Sequence, residues 1–307
     1  MKKVVIDCDV GVDDALALIL AFHSPELDVR AVTGVNGNVP LEQVFENIQK
    51  VLSLIQPKDK PLIAKGADRP LKGKTIYAHS VHGKDGLGGA KINQKEGKEW
   101  WQFYAGPADE LITKMARQVP DEMTLIAIGP LTNLALAIQK DPEGMRKLKE
   151  VVIMGGAVRT GGNITSFSEF NIFSDPLAAQ RVFGSKLSIT LVPLDVTHQV
   201  SLTPEWMEQK VIPISNSFSK FAIEATGYDS TRHQFRNKEI VHLHDPLAVG
   251  VVTHPNLVKK QKLSLTVETQ EGEYFGKIVE GLGGSDIDVC LAVDAKRFLE
   301  LFLSRLG

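Results

Sequence analysis

Cysteine is nearly absent from this chain: two residues, Cys8 and Cys290, lie near opposite ends of 307. That excludes a disulfide-stapled scaffold and fits reduced thiols in a cytosol. Long hydrophobic runs are missing as well. The apolar run in the opening MKKVVIDCD is too short for a signal peptide, and no later stretch reaches membrane-spanning length. Charge of one sign is also lacking. With 35 basic and 37 acidic residues the formal net charge is −2, which gives no electrostatic case for nucleic acid or an anionic membrane as partner. What remains is an ordinary globular composition, 43% hydrophobic and 23% charged, expected in the cytoplasm and acting on something small.

Against this plain background, KKVVIDCDVGVDDALALILAF stands out. Val4, Val5 and Ile6 are a β-branched run that reads as a buried strand, Gly11 permits a sharp turn, and residues 15–22 read as a buried helix with no polar face. Asp7, Asp9, Asp13 and Asp14 therefore fall at the carboxyl end of a strand and in the first turn of a helix, where open α/β sheets bind ligands. One or two aspartates there would be helix caps. Four repel one another unless a hard cation with oxygen ligands turns the repulsion into binding. An EF-hand loop would need Glu at its twelfth position; counted from Asp7 that position is Leu18.

Strand and helix patterns then alternate along the chain. Strands are expected over 27–35, 61–64, 123–128, 151–154, 187–194, 263–269 and 287–293, the last two as a possible pair, with helices between them and a closing helix over 294–306. The pattern predicts an α/β fold, a mainly parallel central sheet flanked by helices, Rossmann-like and open, with its site at the carboxyl ends of the strands. Asp9, Asn38, Ile128, Met154 and Asp195 all follow predicted strands and should collect along that edge. The Gly-rich HSVHGKDGLGG (79–89) has the length of a functional loop, but His79 and His82 lack further zinc ligands.

The string DCDVGVDDA resembles the signature of the nucleoside hydrolases, calcium-dependent N-ribohydrolases of the inosine-uridine type. Three further segments are similar to that family: VHGKDGLG, the run from Asn163 to Glu169-Phe170-Asn171, and HLHDPLAVG. The resemblance covers nearly the whole chain and implies one catalytic domain over 1–307. It implies Ca²⁺ held by Asp9, Asp14, the Ile128 carbonyl and Asp245, with Asp9 as general base toward a bound water. Asp13 and Asn171 would grip the ribose hydroxyls, Asn163 and Glu169 its 5′ end, and Phe170 would cover the sugar. Asn38, His82 and Met154 would line the site and His244 would face the leaving base. The substrate implied is a small ribonucleoside taken up for salvage, purine or pyrimidine, and the assembly a homodimer or homotetramer. Relatives place base contacts in a region whose counterpart here, Tyr228, Arg232, His233 and Phe235, does not map cleanly; Asp195 and His198 are read as structural.

Two other readings remain open at this point. A strand ending in Asp-x-Asp also resembles the haloacid dehalogenase-like phosphatases, which leaves Asp13-Asp14 without a role, and the same scaffold could bind nucleosides without turnover.

Overall fold

The first strand, β1 (Lys2–Cys8), lies near the middle of the sheet, where its unbroken apolar run requires it to be. A computed structural model describes residues 1–92, 98–236 and 239–307. Residues 93–97 of the polar stretch before Trp100 lie outside it. β1 pairs in parallel with β2 (Leu27–Gly34) on one side and β5 (Met123–Ala127) on the other. β3 (Leu62–Lys65) and β4 (Gln102–Phe103) extend the sheet beyond β2; β6 (Glu150–Met154) and β7 (Ile189–Val192) extend it beyond β5. Three C-terminal strands, β8 (Val258–Val267), β9 (Ile278–Glu280) and β10 (Ser285–Val293), complete a ten-stranded order 9-8-10-7-6-5-1-2-3-4. β10 joins β7 in parallel, and β8 runs antiparallel to both β9 and β10. The pairing expected of the last two strands is present.

Helices cover both faces, so the central strands are apolar on both sides rather than alternating. One face buries Ile6, Val32 and Ile126 beneath the helices Val12–Phe22, Leu41–Ile55, His244–Thr253 and Ala295–Leu306. The other buries Val5, Leu125 and Ile153 beneath Ala108–Gln118, Thr132–Lys140 and Pro176–Phe183. The helix Val12–Phe22 is buried almost throughout, as its lack of a polar face requires, and it packs directly on His244–Thr253. That packing brings together residues separated by more than two hundred positions.

Residues 204–227 carry apolar residues at helical spacing, yet they do not form one continuous helix. A short turn at Pro204–Trp206 passes into a π-helical turn, Met207–Val211, then a 3₁₀ turn, Ile212–Ile214, and Ser215 takes a left-handed conformation before Ser217–Thr226 begins. Pro213 removes a backbone donor and ends the ladder there. Among the described residues no helix is long and apolar enough to cross a membrane.

Candidate active site

A cavity of about 480 Å³ opens over the carboxyl ends of the central strands. Asp13, Asn38, His82, Ile128, Met154, Asn163, Glu169, Phe170, Asn171, His244 and Asp245 line it, so eleven residues expected from sequence meet in one place. Asp9 and Asp14 lie below its floor, fully buried.

The floor is built by the turn after β1. Asp14 accepts hydrogen bonds from the Asp9 amide (3.1 Å), the Gly11 amide (2.8 Å) and Asn38 Nδ2 (3.1 Å), so it caps its helix and ties that helix to the loop after β2. Asp9 Oδ2 accepts the Asn38 amide at 2.7 Å, whereas Asp9 Oδ1 is buried with no hydrogen-bond partner. Gly37 and Gly129 flank this carboxylate, and a Cβ at either would crowd it. Beneath it Asp7 accepts Thr33 Oγ1 (2.6 Å) and Asn133 Nδ2 (2.8 Å). Asn133, in the first turn of the helix Thr132–Lys140, is thus a buried strut that also receives the Ala67 amide and donates to the Gly34 carbonyl.

Carboxylate oxygens of Asp13, Asp14 and Asp245 lie within 4.8 Å of one another. Burial pushes the Asp7 and Asp14 carboxyls up to about 7, and burial with mutual repulsion pushes Asp9 and Asp245 well above the usual range. Such a set is costly without a counter-charge. An all-oxygen, multiply acidic cluster beside an orphaned Asp9 oxygen has the donor chemistry of a hard divalent cation site. Of the expected ligands, Asp14 and Asp245 belong to this cluster. Asp13, expected on the ribose, stands with them, Asp9 lies immediately below, and the Ile128 carbonyl accepts Asn171 Nδ2 at 2.9 Å.

The polar wall comes from the loop between β6 and the helix at Pro176. Glu169 is buried and caps the short helix Phe170–Ser174, accepting the amides of Asn171 (2.8 Å), Ile172 (3.1 Å) and Gly156 (2.8 Å). Asn163 Oδ1 accepts the Phe170 amide at 2.9 Å, which folds the two expected sugar contacts toward each other. Asp175 caps the helix at Pro176 through the Ala178 amide (3.1 Å).

The remaining wall is histidine-rich. His82 Nδ1 accepts the Val12 amide at 3.0 Å, which leaves the proton of the neutral ring on Nε2. His244 Nδ1 meets Thr197 Oγ1 at 2.7 Å, and burial, reinforced by nearby histidines, lowers its pKa to about 3. His198 and His242 also line the cavity. Asp195 is structural, as read, because it accepts the amides of Val158 (2.9 Å) and Arg159 (2.7 Å). His198 is not confined to that role; only its position three residues past Asp195, just beyond a strand end, could have signalled it. Tyr228, Arg232, His233 and Phe235 do not line the cavity, and Tyr228 is instead bonded to Glu208 at 2.6 Å.

Comparison with known proteins agrees with this geometry. Residues 4–300 match the family described as inosine-uridine preferring nucleoside hydrolase. A pyrimidine-specific ribonucleoside hydrolase of Salmonella paratyphi B is 34% identical over 99% of this chain and 97% of its own. A plant nucleoside hydrolase structure superimposes with a TM-score of 0.88 at 31% identity, covering 99% of this chain and 98% of that one. A purine-preferring ribonucleoside hydrolase from Gardnerella vaginalis gives 0.88 at 30% identity with the same coverage. On these matches the chain belongs to the inosine-uridine preferring nucleoside hydrolase family and is a hydrolase.

Proposed function

We propose that the protein is a single catalytic unit that hydrolyses the N-glycosidic bond of ribonucleosides to free base and ribose, with Ca²⁺ held at the acidic floor, in cytoplasmic nucleoside salvage and as a homo-oligomer. The observation that carries this reading is one cavity with an acidic floor, a polar wall and a histidine wall, in a chain matched to the family over nearly its whole length.

Asp14 and Asp245, with Asp9 and the Ile128 carbonyl, would hold the cation. When bound, it supplies the Lewis acidity that makes water a nucleophile near neutral pH. Asp9, anchored at one oxygen by the Asn38 amide, would accept a proton from the attacking water through its other, unpartnered oxygen. Asp13 and Asn171 orient the ribose hydroxyls, Asn163 and Glu169 its 5′ end, and Asn38 and Met154 border the ring from the strand ends. Phe170 shields the sugar from solvent. As the bond to the base lengthens, positive charge grows on the ribosyl ring, and the buried aspartates oppose it with fixed negative charge. His82 and His244 face the departing base. Burial keeps His244 neutral, so it assists by donating a ring N–H rather than by arriving as imidazolium.

The test is a reducing-sugar assay for ribose on inosine, uridine and cytidine, with calcium and after chelation. Calcium-dependent release is expected. Phosphate release from nucleotides without free ribose, or tight nucleoside binding without turnover, would overturn the proposal.

A further inference from the structure

Two of the three clustered histidines are anchored from the segment that follows β7. Thr197 Oγ1 meets His244 Nδ1 at 2.7 Å and Ser201 Oγ meets His242 Nδ1 at 2.8 Å. The third, His198, lies between those two hydroxyl residues in sequence, with its ring centroid 4.9 Å from that of His242 and 5.8 Å from that of His244. Its ring lines the cavity and is half-buried, yet makes no hydrogen bond among the described residues. The one carboxylate near it, Asp195, is already engaged by the Val158 and Arg159 amides. A polar ring held against two others, with both nitrogens unassigned and a cavity in front of it, is a hydrogen-bonding position waiting for a ligand.

We propose that His198 is a specificity-determining residue that reads the donor–acceptor edge of the nucleobase. This rests on the hydrolase reading above, because it takes the wall beside His244 as the base end of the cavity. Burial lowers the His198 pKa, so the ring is neutral near pH 7 and offers one N–H donor and one nitrogen acceptor. Whichever nitrogen faces the cavity can therefore donate to a C=O or accept from an N–H, groups that stand side by side on uracil and hypoxanthine. A carboxylate in the same place would offer only acceptors. The aromatic contacts to His242 and His244 fix the ring plane, which turns a single hydrogen bond into discrimination among bases.

The variants are His198→Phe, which keeps the ring and its packing but removes both nitrogens, and His198→Gln, which restores a donor and an acceptor. The substrates are uridine, cytidine and inosine, together with 4-nitrophenyl ribofuranoside, whose leaving group lacks a base edge. H198F is expected to lose about ten-fold in kcat/KM on nucleosides, mainly through KM and unequally among the bases. The loss on the nitrophenyl riboside should be clearly smaller, and H198Q should recover part of the nucleoside loss. Equal losses on nucleosides and nitrophenyl riboside, or no loss on any nucleoside, would overturn the proposal. Calorimetric titration with free uracil and hypoxanthine reads the same contact without turnover: weaker binding to H198F than to wild type supports it, and equal binding sinks it. If the wild type releases no ribose at all, the hydrolase reading fails, while the titration still decides the role of His198.

Discussion

At the scale of single residues, the aspartates after β1 differ in what holds them. Asp14 takes three hydrogen bonds and Asp9 takes one, on one oxygen only, so Asp14 reads as a fixed anchor and Asp9 as the group with an oxygen left for chemistry. We therefore expect Asp9→Ala to lower kcat by about 10²–10⁴-fold, the range of a lost general base, while circular dichroism shows an unchanged fold. Normal turnover in the folded variant would remove Asp9 from the mechanism. Gly37→Ala should have a related effect for a steric reason. Its methyl group would overlap the Asp9 carboxylate and displace it, so turnover should fall at least ten-fold although residue 37 offers no reacting group. Full activity in Gly37→Ala would show that the carboxylate tolerates movement.

At the scale of elements, the loop bearing Asn163, Glu169 and Phe170 is held from outside by the turn between β8 and β9. Ser168, fully buried, donates to the Phe275 carbonyl at 2.7 Å; the Phe167 and Tyr274 rings lie 4.8 Å apart, and Phe173 meets Phe275 edge-on. Ser168→Ala removes the hydroxyl and should destabilise by about 1–3 kcal/mol while raising KM more than it lowers kcat, measured by thermal melts and steady-state kinetics. An unchanged KM would mean that the loop keeps its shape unaided. Elements also show where sequence was legible. β1 and its helix could be read because β-branched and apolar runs bounded by Gly11 leave no other assignment. Glu169 was read as a sugar contact from resemblance, yet its three backbone bonds to Gly156, Asn171 and Ile172 are invisible to periodicity, because they depend on a loop whose path no pattern fixes. The break between residues 204 and 217 was hidden because apolar spacing continues through Pro213. His198 reads as structural because the resemblance gives it no role, and sequence cannot say that the ring turns toward the cavity while the Asp195 carboxylate turns toward the Val158 and Arg159 amides.

At the scale of the whole molecule, the acidic floor joins distant parts of the chain: Asp14 begins one buried helix, Asp245 begins another, and the two helices pack together. Protons and a cation therefore compete for a cluster on which folding depends. Asp7 and Asp14 are raised to about 7, and Asp9 and Asp245 well above the ordinary value, chiefly by burial; Glu169 and Asp175 are raised for the same reason. A carboxyl whose folded pKa exceeds its unfolded one binds more protons when native. Its favourable contribution is complete below about pH 4 and is lost as pH rises through about 7. The carboxyls shifted the other way, Glu122, Asp141 and Asp229, pair at the surface and are screened by solvent. The histidines with lowered pKa, His23, His198 and His244, add stability with rising pH only up to about pH 6.5, against six raised carboxyls. In chelator, the melting temperature should accordingly fall between pH 5 and pH 8. Calcium at a hundred times its dissociation constant contributes about 2.7 kcal/mol, on the order of 5 °C for a chain of this size. Because it displaces protons from the same oxygens, the gap between calcium-loaded and chelated melts should widen with pH. Melting scans from pH 5 to pH 8, with calcium and with chelator, check both signs: a chelated protein that gains stability over this range, or a calcium increment that shrinks as pH rises, would mean that the buried carboxylates are satisfied by something other than protons and a cation.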